Sequence, residues 1–149
     1  MDLTEHFSMS ELTHSDTAER FGIDNNPTVE IAENLTWLAE NLEKVRELLA
    51  LPMRISSGYR CKELNAQIGG ASNSAHMSGL AADFTCPEFG TPNTICHYLL
   101  RNSDRLQWDQ LIQEGSWVHI AFPKEGEQAR VQVLTANFSG GKASYSQGI

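Results

Sequence analysis

The chain has no apolar run long enough to span a bilayer, so no membrane-crossing helix is expected. Basic charge is scarce: 11 lysines and arginines stand against 19 aspartates and glutamates, a net charge of −8. Phosphate backbones and anionic membrane surfaces both call for a basic footprint, so neither nucleic acid nor a membrane is an expected partner. Cysteine is sparse. Cys61, Cys86 and Cys96 make an odd number without a CxxC spacing, which excludes a disulfide framework and a structural zinc knot. Buried free thiols are expected, Cys86 included, although it lies three residues after Asp83. The first residues, Met1 to His6, lack the basic, apolar and small segments of a secretion signal. Synthesis in a cytoplasm is the corresponding expectation. Internal repeats and linkers are also lacking.

What is present suffices for one domain with a hydrophobic core: 149 residues, 40% of them hydrophobic. Residues 1–27 read as a docking arm anchored by Phe7, Met9, Leu12, Phe21 and Ile23, with short-helix starts at Ser8 and Ser15. Ile31, Leu35, Leu38, Leu42, Val45 and Leu49 recur at helical spacing, predicting a core-packing helix from Val29 to Leu49 that Pro52 stops. Met53–Ser56, Leu80–Phe84, Leu106–Ile112 and Trp117–Phe122 read as strands, with Val131–Leu134 as an edge strand. Cys61–Ile68 and Thr94–Asn102 read as helices. Helices cluster first and strands later, which predicts an α+β fold, a small antiparallel sheet with helices on one face. The domain is expected to span residues 1–138, with 139–149 a flexible Gly/Ser/Lys tail and the whole a monomer.

The chemistry concentrates in Ser74-Ala75-His76-Met77-Ser78-Gly79-Leu80-Ala81-Ala82-Asp83 and, far downstream, Trp117-Val118-His119. Two imidazoles and one carboxylate are a ligand set for catalytic zinc, with one position left open. Side chains alternate along strands, so Asp83 and His119 meet on one face if their strands pair in register. Cross-strand Cβ atoms are then about 4.5–5.5 Å apart, close enough to share an ion. His76 would enter from the preceding loop, folded back at Gly79, while Ala81 leaves room. The plainer alternative is a loop histidine, a hydrogen-bonded strand histidine and a strand-end aspartate. His6, His14 and His97 are expected to be structural or solvent-facing.

The pattern Ser74-x-His76-x-x-Gly79-x-Ala81-x-Asp83 with Trp117-Val118-His119 resembles the zinc D-alanyl-D-alanine carboxypeptidases and related peptidoglycan endopeptidases. Phe7–Leu12, Ser56–Arg60 and Leu64-Asn65 also look like the small single-domain bacterial and phage members of that family. The resemblance covers most of the chain and implies the metal-site fold shared with D-Ala-D-Ala dipeptidases and the hedgehog signalling domain. It implies zinc on His76, Asp83 and His119, and a peptidoglycan stem peptide as substrate. It also implies Arg60 near the scissile carbonyl or a substrate carboxylate, and a glutamate before the second histidine as general base. A phage-encoded or virion-associated wall hydrolase would fit the absent signal.

Glu114, at the turn before His119, is the best candidate for that base, with Asp109 in reserve. The spacing departs from the family pattern: Glu114 stands five residues before His119, an odd offset that in a straight strand would face it away unless Gly115-Ser116 bulges. Arg60 offers a fork of donors for a carboxylate or an oxyanion, or else a salt bridge to Glu63 or Asp83. Ser74 binds substrate or caps its loop. Tyr59 and Asn65 read as scaffold. Carboxypeptidase and endopeptidase action stay open, as do another divalent ion, a non-catalytic zinc-containing binding module and a metal-free structural protein.

Overall fold

In the computed structural model, which describes residues 1–139 and 142–149, helices α1 (Met9–Thr13), α2 (Asp16–Phe21), α3 (Val29–Leu49), α4 (Lys62–Gln67) and α5 (Pro92–Arg101) accompany one sheet. Its strands are β1 (Arg54–Ser57), β2 (Ala81–Thr85), β3 (Gln110–Gln113), β4 (Val118–Ala121), β5 (Gln132–Ser139) and β6 (Lys142–Gln147). They lie in the order β1-β2-β4-β3-β5-β6. The fold is α+β, as the segregation of helical and strand patterns predicted.

The long helix has the bounds its periodicity implied, capped by Thr28 at one end and by Ala50 in the left-handed region at the other. Its stripe, Leu35, Leu38, Leu42, Val45 and Leu49, packs with Ile95 and Leu99 of α5 against Phe84, Leu111, Val118 and Ile120 of the sheet. That leaves the opposite face of β2 and β4 free for polar residues. No helix among the described residues is long and apolar enough to cross a membrane.

The arm docks. Phe7 and Leu12 are buried in the main core, and Ile23 joins Ala18 and Leu64 in a smaller cluster. Ser8 and Ser15 cap α1 and α2 as their positions implied. Buried Asn25 ties the arm down: its amide donates to the Thr13 and Tyr59 carbonyls, and its oxygen accepts from Cys61 N–H. Phe21 is a correction, being 55% exposed at the end of α2 rather than an anchor. The cysteines are free, with Cys86 and Cys96 buried in the core and burial pushing the Cys96 thiol up to about 12.

The C-terminal expectations need revision. Val131–Leu134 is no edge strand: β5 starts at Gln132, pairs parallel to β3, and is covered by β6. The residues between β4 and β5 carry the chain back to the start of β3, where Arg130 grips Asp109 and Val131 N–H donates to the Trp108 carbonyl at 3.1 Å. Residues 139–149 are not a free tail, since Lys142–Gln147 pairs antiparallel with β5, while 140 and 141 lie outside the described residues. Small polar composition hid the strand because its pairing is a backbone matter.

Candidate active site

Strands β2 and β4 pair with Asp83 opposite His119 and Ala81 opposite Ala121. Alternation therefore puts a carboxylate and an imidazole side by side on the face turned away from the helices. His76 reaches them from a 3-10 turn, Ala75–Ser78, capped by Ser74 and closed by Gly79 at φ +72°. A side chain at Gly79 would meet Ile31 and Leu35 of α3 at 3.1–3.2 Å, so glycine permits both the turn and its close seating. One ligand atom from each of His76, Asp83 and His119 lies within 4.8 Å of the others, and all three residues are buried.

The hydrogen bonds show what this group lacks. His76 Nδ1 lies 2.7 Å from the Gly58 carbonyl, an acceptor, so Nδ1 carries the proton. A neutral ring then turns the lone pair of Nε2 toward Asp83 Oδ1, 3.2 Å away. His119 Nδ1 approaches the same oxygen at 2.9 Å. Burial opposes ionisation of Asp83, but hydrogen bonds donated by the rings of His119 and, when its Nε2 carries a proton, His76 outweigh it and hold the carboxyl well below the usual carboxylate range. An ionised carboxylate 3.2 Å from an imidazole nitrogen calls for a cation between them, a proton on Nε2 or a metal ion in its place. The donor set, two imidazole nitrogens and one carboxylate oxygen, suits a divalent metal with an open position.

The group forms part of the lining of a cavity of about 450 Å³, which Arg60, Ser74 and Glu114 also line. Glu114 reaches it without a bulge. In the β3–β4 hairpin Ile112 pairs with His119, and Glu114 N–H donates to the Trp117 carbonyl at 3.0 Å, extending that register. Glu114 thus shares the face of Ile112 and His119 from the neighbouring strand, and its offset along β4 does not apply. Burial raises its pKa, with the charges of His119, Asp83 and Arg60 acting on it in turn.

Arg60 makes no salt bridge to Glu63 or Asp83 among the described residues. Its Nη2 donates to Ser74 Oγ at 3.4 Å, its Nε is buried without a partner, and burial lowers its pKa. A guanidinium with an unused buried donor beside a cleft is ready for an anion. Ser74 caps the turn, its oxygen accepting from His76 N–H at 3.2 Å. Asp109 also lines the cavity, but Arg130 occupies both its oxygens at 2.9–3.1 Å and holds its pKa down, which removes it as a proton carrier. Tyr59 and Asn65 are buried scaffold, Asn65 holding the cleft-lining loop through the Ala71 carbonyl at 2.9 Å. His14 and His97 are exposed, and His6 bonds Glu43.

Sequence reasoning missed the Gly58 carbonyl, a backbone atom without a sequence signal, and the cavity-lining residues Leu134 and Tyr145. Period-two alternation over residues 132–138 and 143–147, separated by Gly140-Gly141, was the signal for the last two.

A buried His–Asp–His group on an open sheet face, with a carboxylate and an arginine at its edge, defines the class: a metallohydrolase centre. The model of the family described as Peptidase M15 matches residues 5–121, and the chain belongs to that family of metallopeptidases. No curated protein matches the chain.

Proposed function

We propose that the protein is a zinc peptidase that hydrolyses an amide bond in the peptide stem of bacterial peptidoglycan. The observation that carries this reading is the convergence of His76, Asp83 and His119 in the same cavity as Glu114 and Arg60. His76 Nε2, Asp83 Oδ1 and His119 Nδ1 would hold the ion. When bound, zinc supplies the Lewis acidity that polarises a carbonyl and activates water.

The chain's own groups do the rest. Glu114, its pKa raised by burial, accepts the proton of the attacking water and returns it to the leaving amine nitrogen. Arg60 holds a substrate carboxylate or steadies the negative charge growing on the scissile carbonyl oxygen. The Gly58 carbonyl fixes the tautomer of His76, so that Nε2 stays free to bind.

Incubating zinc-loaded protein with purified peptidoglycan, with and without chelator, tests the reading by mass spectrometry of the fragments. Free D-alanine marks a carboxypeptidase, and cut stems or crosslinks mark an endopeptidase. Absence of any chelator-sensitive product from a zinc-loaded sample overturns the reading in favour of a binding module. Glu114→Gln is expected to lower turnover about 10²–10⁴-fold with zinc content unchanged; near-normal turnover removes Glu114 from the role.

A further inference from the structure

The family match ends at Ala121, yet the sheet continues beyond it. Leu134 of β5 pairs with Ile112 of β3, so it stands on the face that carries His119 and Glu114. Tyr145 of β6 pairs with Ala136 on that same face. Leu134 and Tyr145 line the same cavity as the metal-binding group. Beyond them Phe138 lies over the β3–β4 turn, near enough that a Cβ on Gly115 would meet its ring at 3.2 Å.

Together Ile112, Leu134, Ala136, Tyr145 and Phe138 form an apolar shelf continuous with the cleft. Its outer members await a contact, Tyr145 being 51% and Phe138 59% exposed. Burial, and then the charges of Glu114 and Asp83, raise the pKa of the Tyr145 phenol, which fits a ring close to these carboxylates. Arg60 follows β1, one edge of the sheet, and Tyr145 sits in β6, the other edge. A peptide lying over the His–Asp–His group between them leaves the cleft across the shelf.

We propose that this shelf is the subsite for an aliphatic arm ending in an ammonium, on the substrate residue that lies across it, and that Tyr145 determines specificity there. The proposal rests on the peptidase reading for its substrate class. Side chains of a wall stem are methyl groups, carboxylates and the alkylammonium arm of a diamino acid. A methyl fills little of the shelf. A carboxylate would face the negative field of Glu114 in a chain of net charge −8. The alkyl arm covers Leu134, which is only part-buried, and its cationic tip meets the Tyr145 ring face.

The test uses zinc-loaded protein and two probes, the stem pentapeptide L-Ala-γ-D-Glu-L-Lys-D-Ala-D-Ala and the same peptide with alanine replacing lysine. Binding is measured by calorimetry in a Glu114→Gln background, and hydrolysis by mass spectrometry in the Glu114 protein. The lysine peptide should bind about tenfold more tightly than the alanine peptide. Tyr145→Ala should erase that preference, and Tyr145→Phe should keep most of it. Because Tyr145 is half exposed, both variants should retain the wild-type circular dichroism spectrum. A preference that survives Tyr145→Ala, equal binding of both peptides, or binding of neither overturns the shelf. Tyr145-dependent preference without hydrolysis of either peptide or of purified peptidoglycan upholds the shelf and sinks the peptidase reading. Hydrolysis without preference does the reverse.

Discussion

Gly58 illustrates how much of the site depends on single atoms. Its carbonyl orients His76, and its missing side chain lets the backbone of the arm press against it: a Cβ there would be driven into the Leu12 carbonyl oxygen. Tyr59 N–H donates to that same Leu12 oxygen at 2.7 Å, so the contact cannot open without breaking a bond. Gly58→Ala should therefore shift the carbonyl and misalign the ligand. We expect zinc affinity to fall about 10–100-fold, as for other outer partners of a metal-bound imidazole. We also expect about 1–3 kcal/mol of lost stability from overpacking. Competition titration against a zinc chelator reads the first effect and urea unfolding the second; wild-type affinity would show that the carbonyl does not position His76. The meeting of His76, Asp83 and His119 was legible because side-chain identity and strand alternation are sequence properties. The Gly58 carbonyl was not, since every residue has one.

At the scale of elements, the arm is held by polar contacts as much as by its apolar anchors. Asn25 satisfies two carbonyls and one N–H across the arm and the β1–α4 connection. Asn25→Ala leaves these groups without their partner and should cost about 1–3 kcal/mol, seen as a lower urea midpoint at unchanged slope. An unmoved midpoint would mean that water replaces the amide. The first turn has a pH-dependent latch. His6 N–H and ring bond the Glu43 carboxylate at 2.7 and 2.6 Å. Burial draws the Glu43 pKa up, but the bonds from the His6 backbone and ring help bring it below the ordinary glutamate value. A carboxyl lowered by folding contributes stability above its unfolded pKa, and that contribution fades as pH falls through the folded value. Glu43→Gln should thus melt below wild type near neutrality, with the two converging in acid. A gap independent of pH would rule out the latch. The β3–β4 hairpin marks where sequence reading stopped short. Counting from Glu114 to His119 along one strand turns the glutamate away, whereas counting across the turn brings it in, and only the register of two strands distinguishes these.

Across the whole molecule, folding divides the sheet into two working faces. One is sealed by α3 and α5; the other gathers residues that are distant in sequence and join no apolar core. The sealed face was readable because apolar periodicity reports burial directly. The open face is readable only where it carries unusual chemistry, so its His–Asp–His end is visible in the sequence while β6, of small polar composition, reads as tail. The His–Asp–His group also ties pieces of the fold together, linking the Ala75–Ser78 turn to two central strands. Without a metal, a proton on His76 Nε2 has to bridge the ring and the Asp83 carboxylate at 3.2 Å, and a metal ion between them takes its place. Binding to the folded state alone stabilises it by about 2.7 kcal/mol when free zinc is a hundred times its dissociation constant. In a domain of this size each kcal/mol moves Tm by about 2–4 °C, so chelation should lower the calorimetric Tm by roughly 5–11 °C. Ligands must be deprotonated to hold the ion, so the difference should shrink as pH falls. Asp83→Asn, which leaves the volume of the site nearly unchanged, should abolish most of the zinc-dependent gain. If zinc-loaded and chelated protein melt together at neutral pH, the His–Asp–His group holds no structural ion, and its proximity reflects hydrogen bonding alone.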